Sequence, residues 1–255
     1  STHRSAEKSH TYERHSMKFS NLFLLPIAVL SIHAAGVKGS GVGDLVFEDS
    51  FERSEPGPRW LIPIASFSVQ DGRLLGHEEP QHGHGAVCRA PITFRSAVFE
   101  FSFRFTDGKS FNFVINDKNC KEVHAGHICR VSISPKLVRI SDDREGAMRN
   151  DIFSLLRDPA KKVDRREVLR DRERLIPHAL ASHQWHTARI VLDGDTMSVS
   201  IDDKTIGMLK SPGISHPTKT DFGFTVLGHA IEFDDVRVWR TGEANSGSSE
   251  LPESP

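Results

Sequence analysis

Strict alternation of apolar and polar residues is the clearest pattern along this chain. In residues 96–106 (SAVFEFSFRFT), phenylalanines occupy positions 99, 101, 103 and 105, and polar residues fill the positions between them. Residues 110–117 (SFNFVIND) repeat the pattern after an Asp-Gly pair at positions 107 and 108. Alternation with period two predicts a strand with one buried face, and a short Asp-Gly connection is typical of hairpins. The pattern therefore predicts two neighbouring antiparallel strands that turn their Phe faces into a core.

Shorter alternating runs continue along the rest of the chain, separated by turn-forming residues. Many short strands at regular spacing favour a sandwich or a barrel over a fold of alternating strands and helices. The chain lacks the glycine-rich loops of nucleotide-binding folds. The runs that predict strands are residues 128–134, 137–141, 185–192, 197–201, 205–209, 221–227 and 231–239.

The two ends of the chain are expected to lie outside the fold. Met17 and Lys18 precede an apolar run over residues 21–32 and small residues at 34–36, an order typical of a secretory signal peptide. This run is shorter than the roughly 20 residues that span a bilayer, although an N-terminal anchor helix is the alternative. The sixteen residues before Met17 are interpreted as an over-extended gene start. We therefore expect residues 1–36 to comprise this upstream extension and a signal peptide for export to a secreted or periplasmic location. We expect residues 45–240 to form one domain and residues 241–255 to be a disordered tail.

Composition and charge narrow the classes of function only modestly. The 255 residues include 33 basic and 34 acidic side chains, so the net charge of -1 gives no indication of nucleic-acid binding. Export permits disulfides, but three cysteines (Cys88, Cys120 and Cys129) leave at least one thiol free. Either Cys120 and Cys129 form a bridge, or all three are reduced.

Several stretches of this sequence carry a resemblance to a known superfamily. They are LVFEDSFER (45–53) with Trp60 and SVQDGRLLG (68–76), VHAGHICRVSISP (123–135), and QWHTARIVLDGDTMSVSIDDKTIG (184–207) with the two strands that follow it. The chain resembles the concanavalin A-like lectin/glucanase superfamily, which includes laminin G-like domains, and within it the secreted bacterial domains labelled 3-keto-disaccharide hydrolase-like. The resemblance implies an all-β, antiparallel jelly-roll sandwich and a glycan partner. It does not imply one activity, because the fold serves lectins, hydrolases, lyases and adhesion modules.

A charged segment interrupts the predicted strands. Residues 157–174 hold 8 basic and 5 acidic residues. Asp158 followed by Pro159 predicts the start of a helical insertion. The insertion is either a solvated surface helix or a basic flap that contacts an anionic glycan.

The retaining glucanases of this superfamily carry an E-x-D-x-E strand motif, in which two carboxylates act as nucleophile and acid. No such triplet occurs here, and the nearest strand offers Glu100, followed by Ser102 and Arg104. Glucanase chemistry of that kind is therefore not expected, and any catalysis would depend on other residue types.

Histidine, arginine and asparagine are the candidate site residues. His124 and His127 are predicted to act with Arg104 in catalysis, because histidine exchanges protons near neutral pH and arginine stabilises negative charge. Asn112, Asn116 and Arg130 are predicted to bind substrate, together with His82 and His84 of the loop QHGHG. The alternatives are an ordinary polar outer face for the strand residues and structural or surface roles for the histidines. No cofactor is expected with certainty, but Asp49 and Asp234 are candidate ligands of a structural calcium ion, with turn and strand-edge polarity as the alternative.

The sequence is compatible with two functions. The first is a secreted carbohydrate-active domain that hydrolyses or eliminates a modified glycoside of the 3-keto or uronate type. The alternative is a non-catalytic laminin G-like module for carbohydrate binding or adhesion. In both cases the expected partner is a glycan, with no nucleic acid and no stable membrane span after signal cleavage.

Overall fold

The computed structural model describes residues 43–242, which form fifteen β-strands and a few short helices. The predicted signal segment and the residues after 242 lie outside the described part of the chain. No helix in the described part has both the length and the apolar character needed to cross a membrane. The strands are β1 (Asp44–Asp49), β2 (Leu61–Ile64), β3 (Phe67–Gln70), β4 (Arg73–Gly76), β5 (Ala86–Phe94), β6 (Ser96–Phe105), β7 (Gly108–Asn116), β8 (His127–Ser134), β9 (Leu137–Asp142), β10 (Glu173–Pro177), β11 (Trp185–Asp193), β12 (Thr196–Ile201), β13 (Lys204–Lys210), β14 (Lys219–Gly228) and β15 (Ile231–Thr241).

The strands form two antiparallel sheets that pack face to face as a jelly-roll sandwich. Sheet I has the order β13-β12-β11-β6-β15-β4-β3, with β1 also paired to β15. Sheet II has the order β10-β9-β8-β7-β14-β5-β2. The predicted all-β antiparallel sandwich is confirmed.

Aromatic rings from both sheets fill the core. Phe101 of β6 stacks on Phe113 of β7 with ring centroids 5.3 Å apart, and Phe233 of β15 stacks on Phe224 of β14 at 4.1 Å. All four side chains are fully buried. Burial of a large aromatic side chain contributes about 1.5–3 kcal/mol relative to exposure, so these rows hold the two sheets together.

The predicted hairpin between the two Phe-rich strands is wrong. Strand β6 pairs with β11 and β15 in sheet I, whereas β7 pairs with β8 and β14 in sheet II. The short link after Phe105 thus crosses from one sheet to the other. In a hairpin both Phe rows would lie side by side on one sheet, whereas in two facing sheets each row covers the other.

The insertion between β9 and β10 is helical, as predicted, but its helices begin elsewhere. Helix α1 spans Asn150–Arg157 and helix α2 spans Arg165–Val168. Asp158 follows the end of α1, and its carboxylate accepts a hydrogen bond from Ala160 N at 2.9 Å. Asp164 is the residue that caps a helix, since its carboxylate accepts from Arg166 N at 2.8 Å. The predicted start at Asp158 and Pro159 is therefore wrong, because an Asp can stabilise a turn in the same way that it caps a helix.

The three cysteines are all reduced and buried. Cys88 and Cys129 are completely inaccessible, and Cys120 is nearly so. Burial raises the pKa of Cys88 to about 12. These thiols therefore belong to the packing of the sandwich.

Candidate functional site

The outer face of sheet II collects the polar members of the alternating strands. In β7 and β8, Phe111, Phe113 and Val131 point into the core, so Asn112 and Arg130 point outward. The helical insertion follows β9 and borders this face. Its position turns one part of an open sheet surface into a cleft.

This cleft has a volume of about 330 Å³. That size is at the lower end of the ~300–1,000 Å³ typical of small-molecule sites. Strands β7, β8 and β9 contribute most of the lining, and the insertion and β10 contribute the rest. The lining residues are Ser110, Asn112, Arg130, Ser132, Ile133, Ser134, Leu137, Arg139, Ser141, Asp143, Ala147, Met148, Arg165, Glu173 and Leu227.

Two guanidinium groups in the cleft hold unused hydrogen-bond donors. Arg130 donates through Nε to Asp143, but its buried Nη2 has no partner among the described residues. The buried Nε of Arg139 has no partner there either. Buried donors are normally satisfied, and one left unpaired costs about 1–3 kcal/mol. An acceptor that enters the cleft would relieve this cost.

An asparagine and a serine place further polar groups in the same cleft. The hydroxyl of Ser132 donates to Asn112 Oδ1 at 2.6 Å. This bond occupies the carbonyl oxygen of Asn112 and leaves its amide Nδ2 as a donor. The cleft thus presents guanidinium, amide and hydroxyl groups, which are suited to hydroxyl and carboxylate ligands.

Two carboxylates also lie in the lining, each paired with an arginine. Asp143 is buried and accepts from Arg130, and Glu173 lies 2.8 Å from Arg165. Burial raises the pKa of Asp143, the Arg130 charge opposes the rise, and the charge of Glu173 adds to it. The two acids are therefore close enough to influence each other electrostatically.

His127 lies on the same sheet face but in a hydrogen-bonded network of its own. Its Nδ1 is 2.7 Å from Asn116 Oδ1, and Asn116 Nδ2 donates to Asp221 Oδ1 at 2.6 Å. Burial, followed by the positive charges of Arg130 and Arg89, lowers the pKa of His127 to about 2. A histidine held neutral in this way is a poor general acid at physiological pH.

The other predicted histidines take exposed positions. His124 stacks on Phe153 of α1 with centroids 4.0 Å apart, and His82 and His84 lie in an exposed loop before β5. None of the three lines the cleft.

Arg104 lies on the opposite side of the molecule from His127. It belongs to β6 of sheet I, donates to Glu232, and places its guanidinium 4.9 Å from the ring centre of Trp185. The outer faces of the two sheets are separated by the entire core. The structure therefore does not bring Arg104 together with His124 and His127, because the crossing between β6 and β7 divides the predicted polar face in two.

The two predicted calcium ligands accept hydrogen bonds from neighbouring protein groups. Both oxygens of Asp49 accept hydrogen bonds from Arg53 at 2.7 Å, and Trp60 Nε1 donates to the same carboxylate at 2.8 Å. Asp234 accepts from the backbone N of Asp235 at 2.7 Å. Residues 43–242 hold no group of three or more His, Cys, Asp or Glu side chains arranged to bind a metal ion. The calcium site at Asp49 and Asp234 stays a prediction.

Of the predicted site residues, Arg130 and Asn112 line the cleft. Asn116 lies on the same face, within the His127 network. Arg139, Ser132 and Glu173 were not predicted, although the first two are polar members of alternating runs and carried the same signal as Arg130. Nothing in the sequence indicated which of the many outward-facing polar residues the insertion would enclose.

The sequence matches no protein-family model and no curated protein sequence. The similarity lies in three-dimensional structure. SCLam, a non-specific endo-β-1,3(4)-glucanase from family GH16, superposes with a TM-score of 0.52 at 12% identity, over 76% of this chain and 90% of that one. The Emp47p carbohydrate recognition domain gives 0.51 at 16% identity, over 80% and 100% of the two chains. The GlcNAcα1-4Gal-releasing endo-β-galactosidase from Clostridium perfringens gives 0.53 at 10% identity, over 80% and 64%.

The protein has the concanavalin A-like fold. The resemblance seen in the sequence is thereby confirmed at the level of the fold. Identities of 10–16% do not carry an activity from these proteins to this chain.

Proposed function

We propose that this concanavalin A-like protein binds a carbohydrate in the cleft on the outer face of sheet II. The observation that carries the proposal is the pair of buried, unpartnered guanidinium nitrogens, Arg130 Nη2 and Arg139 Nε, in the wall of that cleft. Fixed donors at the surface of a rigid sheet are suited to ligands rich in oxygen acceptors, and sugars offer many hydroxyls in a small volume.

The structural neighbours support a carbohydrate in preference to other oxygen-rich ligands. By their names, they are a glucanase, a carbohydrate recognition domain and an endo-β-galactosidase. A carbohydrate role and export of the chain agree with one another, since the apolar run over residues 21–32 predicts a signal peptide.

Binding is favoured over the predicted histidine-dependent catalysis. His127 donates to Asn116 and stays neutral, His124 stacks on Phe153, and Arg104 belongs to the other sheet. These three residues do not form one constellation around a reacting atom, which acid–base catalysis would require. A 3-keto or uronate-type substrate stays a prediction. Of the two, a uronate agrees better with an arginine-lined cleft, because guanidinium groups bind carboxylates.

Glycoside cleavage in the same cleft is a second candidate. Its support is that Asp143 and Glu173 both line the cleft and that the raised pKa of Asp143 suits a carboxylic acid that donates a proton. In an enzyme of this kind, Asp143→Asn would abolish cleavage while binding persisted. Retention of full cleavage activity in Asp143→Asn and Glu173→Gln would remove this candidate.

The binding proposal is tested by screening the full chain on a glycan array and titrating each hit calorimetrically. Arg139→Gln removes the unpaired donor without exposing a buried carboxylate, and we expect it to weaken binding by about tenfold or more. Arg95→Gln, an exposed arginine outside the cleft, is the matched control and should bind as the wild type does. A folded protein that binds no glycan, or an Arg139→Gln variant with unchanged affinity, would refute the proposal.

A further inference from the structure

A second cleft adjoins the first on the side of the helical insertion. Its volume is about 390 Å³. It shares Arg139, Arg165 and Glu173 with the first cleft, so these side chains form the boundary between the two. The rest of its lining comes from α2, the residues that follow it and β10, namely Arg166, Leu169, Arg170 and Leu175.

Positive charge dominates the combined lining of the two clefts. It contains five arginines, at positions 130, 139, 165, 166 and 170, and two acidic residues, Asp143 and Glu173. Each of the two acids is paired with one arginine, Asp143 with Arg130 and Glu173 with Arg165. Among the residues that the structure describes, the remaining three arginines have no ion-pair partner. A chain with a net charge of -1 thus concentrates an excess of positive charge in one place.

We propose that the two adjoining clefts bind consecutive residues of a polyanionic oligosaccharide. The inference rests on the proposed carbohydrate function and names the class of ligand, a chain that carries a carboxylate or sulfate on successive sugars. Arg139 stands at the junction of the two clefts, and Arg166 and Arg170 neutralise the charges of the sugars in the second cleft. Guanidinium groups bind both kinds of anion through paired N–H donors.

The extent of the charged surface favours a chain over a single charged sugar. Each cleft by itself has the size of a small-molecule site. Arg139 at their junction and Arg166 and Arg170 of the second cleft are the lining arginines without an ion-pair partner among the described residues. One anionic group would neutralise one of these three arginines and leave the other two without a counter-charge. A row of anions along the groove neutralises all of them.

The lining also discriminates between classes of polyanion. No described residue that lines either cleft is aromatic. Proteins that hold single-stranded nucleic acids use aromatic platforms on which the bases stack. The serine hydroxyls and the Asn112 amide of the first cleft instead match the hydroxyls of a sugar.

The test compares oligosaccharides of two lengths and two charges. The full chain is titrated by calorimetry with galacturonic acid di- and hexasaccharides, a heparin-derived hexasaccharide, neutral cellohexaose and a single-stranded oligothymidylate. Arg166→Gln/Arg170→Gln changes the second cleft only, and Arg95→Gln is the matched control. Arg166 and Arg170 are both exposed, so the double variant is expected to fold.

We expect an anionic hexasaccharide to bind more tightly than cellohexaose and to lose about tenfold in affinity in the double variant. Its affinity should also depend less on salt in that variant, because fewer counterions are released. The galacturonic acid disaccharide, which the first cleft can hold, should bind the double variant and the wild type equally. The preferred hexasaccharide identifies the anion as carboxylate or sulfate.

Three results would overturn the inference. They are equal affinity of the double variant and the wild type for both anionic hexasaccharides, equal binding of cellohexaose and the anionic hexasaccharides, and binding of oligothymidylate as tight as that of the hexasaccharides. In the second case the carbohydrate-binding proposal stands while the polyanion inference fails. If a folded protein binds none of the saccharides here or on the glycan array, both proposals fail.

Discussion

Nδ1 of His127 lies 2.7 Å from Oδ1 of Asn116, and this contact defines the tautomer of the neutral histidine. Because Asn116 donates through Nδ2 to Asp221, its Oδ1 is an acceptor, and the proton of the neutral imidazole must reside on Nδ1 of His127. Burial and the charges of Arg130 and Arg89 lower the pKa of His127 to about 2 from its ordinary 6.5.

This lowered pKa predicts a loss of stability in acid. Below about pH 6.5 the unfolded chain protonates His127 and the folded chain does not, so the free energy of unfolding falls as the pH decreases towards 2. The contribution of one such group is at most about 1.4 kcal/mol for each pH unit. Urea unfolding of the wild type and His127→Gln across this range should show a steeper acid loss in the wild type. His124→Gln, at an exposed neighbouring site, is the control, and identical slopes for all three proteins would contradict the prediction.

Ligand binding should be insensitive to Arg104, because this side chain lies on the outer face of sheet I. Arg104→Gln removes its pair with Glu232 and its contact with Trp185, at a cost of about 1 kcal/mol or less in stability. Calorimetry should give a glycan affinity equal to that of the wild type, whereas Arg139→Gln weakens it. A similar loss of affinity in both variants would show that the ligand does not bind in the sheet II cleft.

Position 213 requires glycine, because its backbone lies too close to the buried carboxylate of Asp142 for a side chain to fit. A Cβ atom at position 213 would lie 2.1 Å from Asp142 Oδ1. The carboxylate has no room to move, because it also accepts hydrogen bonds from Gly213 N and Glu145 N, both at 2.9 Å. We expect Gly213→Ala to lower the free energy of unfolding by about 2–4 kcal/mol in urea denaturation.

The control for this clash is Gly194→Ala. Gly194 has open space around its Cα but a φ of +54°, so alanine there meets backbone strain and no neighbour. Its expected cost is about 1 kcal/mol. If Gly194→Ala is as destabilising as Gly213→Ala, the contact with Asp142 is not the cause.

Asp49 is expected to be the most important buried carboxylate of the N-terminal strand. Burial tends to raise its pKa, but hydrogen bonds from Arg53, Trp60 and Phe51 N outweigh this effect and hold the pKa below its ordinary 3.8. Ionised Asp49 therefore contributes its full stabilisation above pH 3.8, the ordinary pKa of the group. That stabilisation is lost as the pH falls through the lower pKa that Asp49 has in the folded protein. Asp49→Ala should cost about 2 kcal/mol in urea unfolding at neutral pH, because it removes the ion pair with Arg53 and leaves the Trp60 indole without its acceptor. Asp44→Ala, at an exposed position of the same strand, is the control, and an equal effect of the two would contradict this role.

Much of the fold followed from local patterns. The period-two alternation correctly predicted β6, β7, β8 and β9 as strands with one buried face, because a pleated strand exposes alternate residues to opposite sides whatever it pairs with. The same alternation could not show that β6 and β7 belong to different sheets. A buried Phe row is compatible with either arrangement, and the choice depends on which distant strands pair with each one.

In the candidate site too, local alternation predicted the direction of single side chains but not which of them lie together. Alternation determined that Arg130, Arg139 and Ser132 point away from the core, since each lies between buried apolar neighbours. It also determined that Arg104 points outward, but not to which side of the sandwich. The sequence by itself thus determined many of the strands, the buried face of the alternating ones and the class of fold, whereas β2, β5 and β10 were not predicted. Only the tertiary structure decided which polar residues share a cleft, because that depends on strand order and on where the helical insertion packs, and both result from contacts between residues far apart in the chain.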